Sequence, residues 1–218
     1  MKKSHVINLI VIVIALSPLG FLLIVWEAIP VTFITRFELN KVIEEIQSRR
    51  ELLIAVCVLS VLSVLLYLLM RNIRRIDPKV NESTPKSPFH KMGIIVILFL
   101  AVFNYFLILS AKNEWTVDMR IFIAVFGLLI VLMGNYMNNI KPNYFAGIRL
   151  PWTLNDPSNW QRTHRLAGKL WFAGGIILMI GSFVFAKSIL VPFAVTVLVL
   201  LVVIPGVYSY KLYRNKLS

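Results

Sequence analysis

Six stretches of this chain lack Asp, Glu, Lys and Arg altogether: residues 6–25, 52–70, 92–111, 121–140, 170–186 and 188–210. A helix rises about 1.5 Å per residue, so roughly 20 apolar residues cross the roughly 30 Å hydrocarbon core of a bilayer. In that core a helix bonds every backbone group within its own segment, which an isolated strand cannot do. The pattern reads as an all-α integral membrane protein with six transmembrane helices. Composition agrees: of 218 residues, 58% are hydrophobic and 15% charged, too few polar groups to cover a water-soluble domain. The fifth stretch has only 17 residues and is extended by the segment before it. Lys187 alone separates the last two, which predicts a tight hairpin. Lys2 and Lys3 precede the first stretch as in a signal peptide. The apolar run is too long for one and no small-residue cleavage site follows, so it reads as a retained helix.

The formal charge is +13. In a soluble domain that would point to nucleic acid. Here the charge lies between apolar runs, and its distribution sorts by side. The N-terminus, residues 71–91, residues 141–169 and the C-terminus carry 16 Lys and Arg, whereas the alternate segments carry 7. Basic loops stay in the cytoplasm, which puts both termini inside. The anionic inner leaflet then accounts for the basic excess, and no direct nucleic-acid partner is expected.

The loops differ in character. In residues 26–51, Glu38, Lys41, Glu44, Glu45, Arg49 and Arg50 recur at helical spacings among Leu39, Val42, Ile43 and Ile46. That spacing predicts a short amphipathic helix at the outer surface. Residues 71–91, with Arg71, Arg74, Arg75, Pro78, Pro85 and Pro88, read as an irregular basic linker. The chain divides on this basis into residues 1–91, a helix hairpin with its loop and linker, and residues 92–218, a four-helix region.

Residues 141–169 form the most informative loop, dense in Trp, Arg, Pro and Asn. Long loops of this kind between closely spaced elements tend to be functional. Gly147 permits a tight turn and Pro151 keeps Leu150 extended, so residues 147–153 read as a stiff, non-helical strap. Asp156 suits a helix N-cap and Pro157 the first helical position. On the helix that follows, Trp160, His164, Ala167 and Trp171 share one face, and Arg162, Arg165 and Lys169 the opposite one. Small residues mark packing faces: Ala124, Gly127 and Gly134 on the fourth span, and Ala167, Gly174 and Gly181 on the fifth. These two helices are expected to pack together, with Asn135, Asn138 and Asn139 bonding to the strap.

No cofactor or metal is expected. Cys57 is the lone cysteine, and His5, His90 and His164 share no ligand-like spacing. The chain does not read as an enzyme. There is no nucleophile motif or Gly-rich phosphate loop, and Asp156 and His164 lie two helical turns apart. A small-molecule transporter or channel is the alternative, although the spans hold no ionisable Asp, Glu, Lys or Arg of the kind coupling requires.

One motif set is more specific than hydropathy. It comprises Gly134-Asn135-x-Met137, Asn143, the run Gly147-Ile148-Arg149-x-Pro151-Trp152-Thr153-Leu154, Trp160, and Thr163-His164-Arg165. It resembles the SdpI family of bacterial membrane proteins from the fourth span to the sixth. The N-terminal part resembles the family only in its layout and in Ile29-Pro30 after the first span. The resemblance implies a multi-pass protein of the bacterial inner membrane. It also implies an immunity or receptor-like role against a secreted peptide toxin outside, with a repressor protein bound inside. The motif residues Asn135, Asn143, Gly147, Arg149, Pro151, Trp152, Thr153, Trp160, His164 and Arg165 become the candidate site. Arg149 and Trp152 stand at its centre as a cation–π or carbonyl clamp.

Overall fold

The computed structural model describes residues 2–38, 42–80, 87–113 and 116–216. The elements are α1 (Lys2–Val25), a 3-10 turn (Trp26–Ala28), β1 (Thr32–Glu38), β2 (Val42–Ser48), α2 (Arg49–Arg71), α3 (Ile73–Ile76) and α4 (Ser87–Asn113). There follow β3 (Thr116–Asp118), α5 (Met119–Met137), α6 (Pro151–Asn155), α7 (Pro157–Val184) and α8 (Lys187–Arg214). Among the described residues six helices are long and apolar enough to cross a membrane, and each overlaps one of the six charge-free stretches. Their outward faces are apolar: Ile24 is 83% exposed and Leu23 70%. Bilayer lipid satisfies such faces, and water does not.

The segment after α1 corrects one expectation. Among the described residues of 26–51 there is no amphipathic helix; they contain two strands of a three-stranded sheet in the order β2-β1-β3. β1 runs antiparallel to β2, with Thr32 opposite Ser48 and Arg36 opposite Glu44, and parallel to β3. The physical reason lies in residue type. Thr32, Phe33, Ile34, Thr35 and Phe37 are β-branched or aromatic and favour a pleated surface, which overrides the spacing of the charges. Leu39 and Lys41 fall outside the described residues, as do residues 81–86 of the basic linker. The rest of that linker is more ordered than expected, holding α3 and the first turn of α4. At the end of β2, Ser48 and Glu51 form a capping box. The Ser48 N–H donates to Glu51 Oε2 at 2.6 Å, and the Glu51 N–H donates to Ser48 Oγ at 3.2 Å.

The chain divides into two compact units. The first comprises Met1–Leu69 and Gly93–Met119, the second Met70–Met92 and Arg120–Ser218. In the first, Leu22, Ile29, Phe33, Val56 and Ile108 form one buried cluster, and Val11, Ala15, Tyr67 and Ile97 another. Polar groups bridge its helices: the Tyr67 hydroxyl donates to Asn8 Oδ1 at 2.6 Å, and Asn104 Nδ2 to Ser60 Oγ at 3.5 Å. Pro18 cannot donate to the carbonyl of Ile14, and the Ser17 hydroxyl bonds that carbonyl instead, at 2.9 Å.

In the second unit α5 packs on α7, as the small-residue stripes suggest, but through different glycines. A Cβ on Gly127 would meet the Gly175 carbonyl at 2.8 Å, and one on Gly134 the Phe172 nitrogen at 2.7 Å. The α7 partners are thus Gly168 and Gly175. Gly174 and Gly181 instead receive Leu201 and Phe193 of α8. Adjacent glycines at 174 and 175 point about 100° apart on the helix, so α7 offers one small-residue face to each neighbour. The α7–α8 hairpin is tight, with only Phe185 and Ala186 between the two helices. Pro205 leaves the Leu201 carbonyl without its helical donor, and Trp171 Nε1 donates to it at 3.1 Å.

Candidate functional site

The strap between α5 and α7 lies in the second unit and is tied from below by buried polar side chains. Asn143 is fully buried and works as a hub. Its Nδ2 donates to the carbonyls of Lys141 and Ala146 at 2.9 and 3.0 Å. Its Oδ1 accepts from the N–H groups of Phe145 and Ala146 at 2.9 and 2.6 Å. One side chain thereby satisfies four backbone groups that a non-helical loop would leave unpaired.

Gly147 follows with φ +103°, a conformation that L side chains avoid. The backbone there runs against the His164 ring, and a Cβ on Gly147 would sit 2.3 Å from His164 Nε2. That Nε2 accepts from the Ile148 N–H at 3.0 Å, while Nδ1 lies 2.8 Å from the Trp160 carbonyl and donates to it. Accepting at one nitrogen and donating at the other defines the neutral Nδ1–H tautomer. The His164 ring also stacks on Trp160 at 3.9 Å, and Trp160 Nε1 donates to the Ile140 carbonyl at 2.8 Å.

The non-helical strap ends at Leu150, earlier than expected. Residues 151–155 form α6, with Pro151 in its first turn. Proline suits that position because its missing N–H would be unpaired there anyway. Thr153, fully buried, accepts from the Leu150 N–H at 2.9 Å, and its hydroxyl oxygen lies within donating distance of the Ile148 carbonyl, at 2.8 Å, and of that of Leu150, at 2.9 Å. Trp152 Nε1 donates to Ser209 Oγ at 2.9 Å, and its ring packs edge-on against Tyr210 and stacks on Tyr213. Asn159 donates to the Ser209 carbonyl at 2.9 Å and accepts from Thr163. Ser209 therefore anchors both α6 and α7 to α8.

Sequence reasoning missed Asp77 and Lys79. Asp77 is only 2% exposed, and its carboxylate accepts from the N–H of Tyr144 at 2.5 Å and of Lys79 at 2.8 Å. Lys79 Nζ donates to the Leu154 carbonyl at 2.7 Å and lies over the Tyr144 ring. The turn Asp77-Pro78-Lys79, whose Asp bonds the N–H two residues on, was the available signal. An Asp77→Asn variant presents an amide donor to groups that already donate. Its expected cost is about 1–3 kcal/mol, read as faster limited proteolysis between residues 141 and 150 in detergent.

The remaining candidates separate. Arg149 is exposed and donates to the Tyr144 carbonyl at 2.5 Å, bracing the strap across its own turn. Arg165 is exposed on the opposite side of α7 from Trp160 and His164. Asn135, Asn138 and Asn139 are exposed, and the strap is tied by Asn143, Asp77, Thr153 and His164 in their stead. A cleft of about 570 Å³ opens beside the strap, lined by Lys91, Tyr136, Asn139, Lys141, Trp160 and Gln161 among others.

Asp156 caps α7 as its sequence position suggests, accepting from the Ser158 N–H at 2.9 Å. The Lys216 ammonium, 3.1 Å away, holds its carboxyl below the usual carboxylate range, and the cap bonds add to this. A depressed folded value means stabilisation that is present above the unfolded value near 3.8 and is lost as pH falls through the folded value. Asp156→Ala should cost about 1 kcal/mol at neutral pH. The difference in thermal midpoint from wild type should shrink on acidification into that range.

Residues 139–209 match the model of the SdpI/YfhL protein family. The matched segment runs from the end of α5 to Ser209, the residue on which Trp152 and Asn159 converge. The chain is also 31% identical over 123 residues, 56% of its length, to the Immunity protein SdpI of Bacillus subtilis (strain 168). That alignment spans 58% of the relative's length, less than two thirds. No solved structure matches the chain. The likeness to the SdpI/YfhL protein family thus falls on the strap, α6 and the helix hairpin that holds them.

Proposed function

We propose that this protein is an immunity or receptor-like component of the bacterial inner membrane, guarding its cell against a secreted peptide toxin. The Bacillus subtilis relative is named an immunity protein, and the 31% identity supports carrying that role across. Both termini and the strap face the cytoplasm in this reading, supported by the 16 to 7 division of Lys and Arg. The strap is the surface through which a cytoplasmic repressor binds, and the β1–β2 segment meets the toxin outside.

The observation that carries the reading is the way the strap is built. Its buried polar groups are committed to backbone bonds, while Arg149, Tyr144 and Asn155 are left exposed on it. Such a surface is shaped to be held rigid and recognised. Both His164 nitrogens are engaged in backbone bonds, which supports a structural role in the strap for this residue over that of a general base.

A gene deletion tests the immunity claim. The deletion strain should lose growth in medium conditioned by its own toxin-secreting culture, and a plasmid copy should restore it. Equal growth with and without the gene contradicts immunity. Co-purification of a cytoplasmic protein with wild type, reduced with Arg149→Ala, tests the strap as the docking surface. Equal recovery with both contradicts it.

A further inference from the structure

The basic face of α7 has a built receptor shape that the strap does not use. Arg162, Arg165 and Lys169 line a cleft of about 410 Å³ together with Leu166 and Tyr208 of α8. All three cations are exposed, and among the described residues none makes an ion pair with an acid. Among the described residues no acid lines the cleft. Three uncompensated cations and a phenol on two adjacent helices form a site for a doubly or singly charged oxyanion, with bidentate arginine geometry suited to phosphate.

The same face continues as an apolar track. Phe172, Ile176, Ile180 and Phe183 fall with the three cations inside an arc of about 80° on the helical wheel. They are 45%, 38%, 60% and 61% exposed. The length of α7 sets the depth. Its 28 residues span about 42 Å, more than the roughly 30 Å hydrocarbon core. Measured from Val184, Arg162 lies about 33 Å and Arg165 about 28 Å along the axis, at headgroup level, and Lys169, at about 22 Å, reaches that level by extending its long side chain, while the apolar track stays in hydrocarbon. One face thus presents a charged head site followed by a tail path, the outline of an amphiphile.

We propose that Arg162, Arg165, Lys169 and Tyr208 bind the phosphate headgroup of an anionic phospholipid, whose acyl chain lies along the exposed apolar face of α7. Charge complementarity selects the anionic over the zwitterionic lipid, and the apolar track selects a lipid over free phosphate.

The test is native mass spectrometry of the full chain in neutral detergent, titrated with phosphatidylglycerol, phosphatidylcholine of the same acyl chains, or inorganic phosphate. Saturable one-to-one binding of phosphatidylglycerol is expected, at least about tenfold tighter than phosphatidylcholine. The double variant R165Q/K169Q should bring the two lipids to equal affinity. K211Q/R214Q, which removes the same charge from the last turn of α8, should keep the preference. Arg162→Gln alone gives a milder loss should the double variant fail to fold, which a thermal melt reveals. Equal loss in both double variants would mean diffuse charge attraction and overturn the site. So would an unchanged preference in R165Q/K169Q and Arg162→Gln. Displacement of the lipid by equimolar inorganic phosphate would overturn the lipid in favour of a free anion.

Discussion

Alanine at Gly147 is expected to unseat the strap. Two penalties coincide there. The φ of +103° costs any L side chain roughly 1–2 kcal/mol. The new Cβ would also stand 2.3 Å from His164 Nε2, and overpacking of this kind costs roughly 1–3 kcal/mol more. Relief requires the backbone to withdraw, which breaks the Ile148 N–H bond to the histidine and loosens the stack on Trp160. The expected loss is about 2–5 kcal/mol, measured as a lower thermal midpoint together with red-shifted tryptophan emission. A His164→Ala partner variant separates the terms. It removes the ring and so the collision, but leaves the backbone strain. The double variant should therefore be less destabilised than the sum of the two singles, and strict additivity would show that the ring does not press on residue 147.

The second large effect is a contrast between neighbours. Gly175→Ala places its Cβ 2.6 Å from the Gly127 carbonyl and 2.7 Å from the Val131 nitrogen, both backbone. Neither can turn aside, so α5 and α7 must move apart, at a cost of about 2 kcal/mol or more. Gly174→Ala meets the methyl groups of Leu201, the far end of a flexible side chain. A rotamer change there should hold the cost below about 1 kcal/mol. Gly174→Leu is a heavier insult and should part α7 from α8, leaving the α5 contact in place. Melting the variants in one detergent checks the order. Equal midpoints for the two alanine variants would contradict the two-faced packing of α7.

The spans were legible because a bilayer demands long uncharged runs, and nothing else in the chain imitates them. The α7 cap was legible too, since Asp156-Pro157 encodes a helix start locally. Its buried and basic faces follow from helical periodicity alone. The sheet was not. Charges in residues 26–51 sit at helical spacing by coincidence, while strand preference resides in Thr32, Phe33 and Ile34, and pairing to β3 joins residues some 80 positions apart. The Ser48-x-x-Glu51 capping box was readable and marks where α2 begins. Asp77 was legible only in part: Asp77-Pro78-Lys79 signals the local turn, but the bond to the Tyr144 N–H, 67 positions away, carries no side-chain signature. Glycine faces fail in between. A seven-residue repeat shows that α7 has a close-packing face, but with glycines at both 174 and 175 spacing does not assign each to its neighbour.

Cysteine accessibility at the strap tests the account most directly. Asn155 is exposed at the end of α6, and replacing Cys57 by serine leaves a background free of other thiols. In that background Asn155→Cys should resist a membrane-impermeant maleimide in intact cells and react fully in inverted membrane vesicles. Labelling from outside intact cells would put the strap on the wrong side of the membrane for a cytoplasmic partner and contradict the reading of this protein given above.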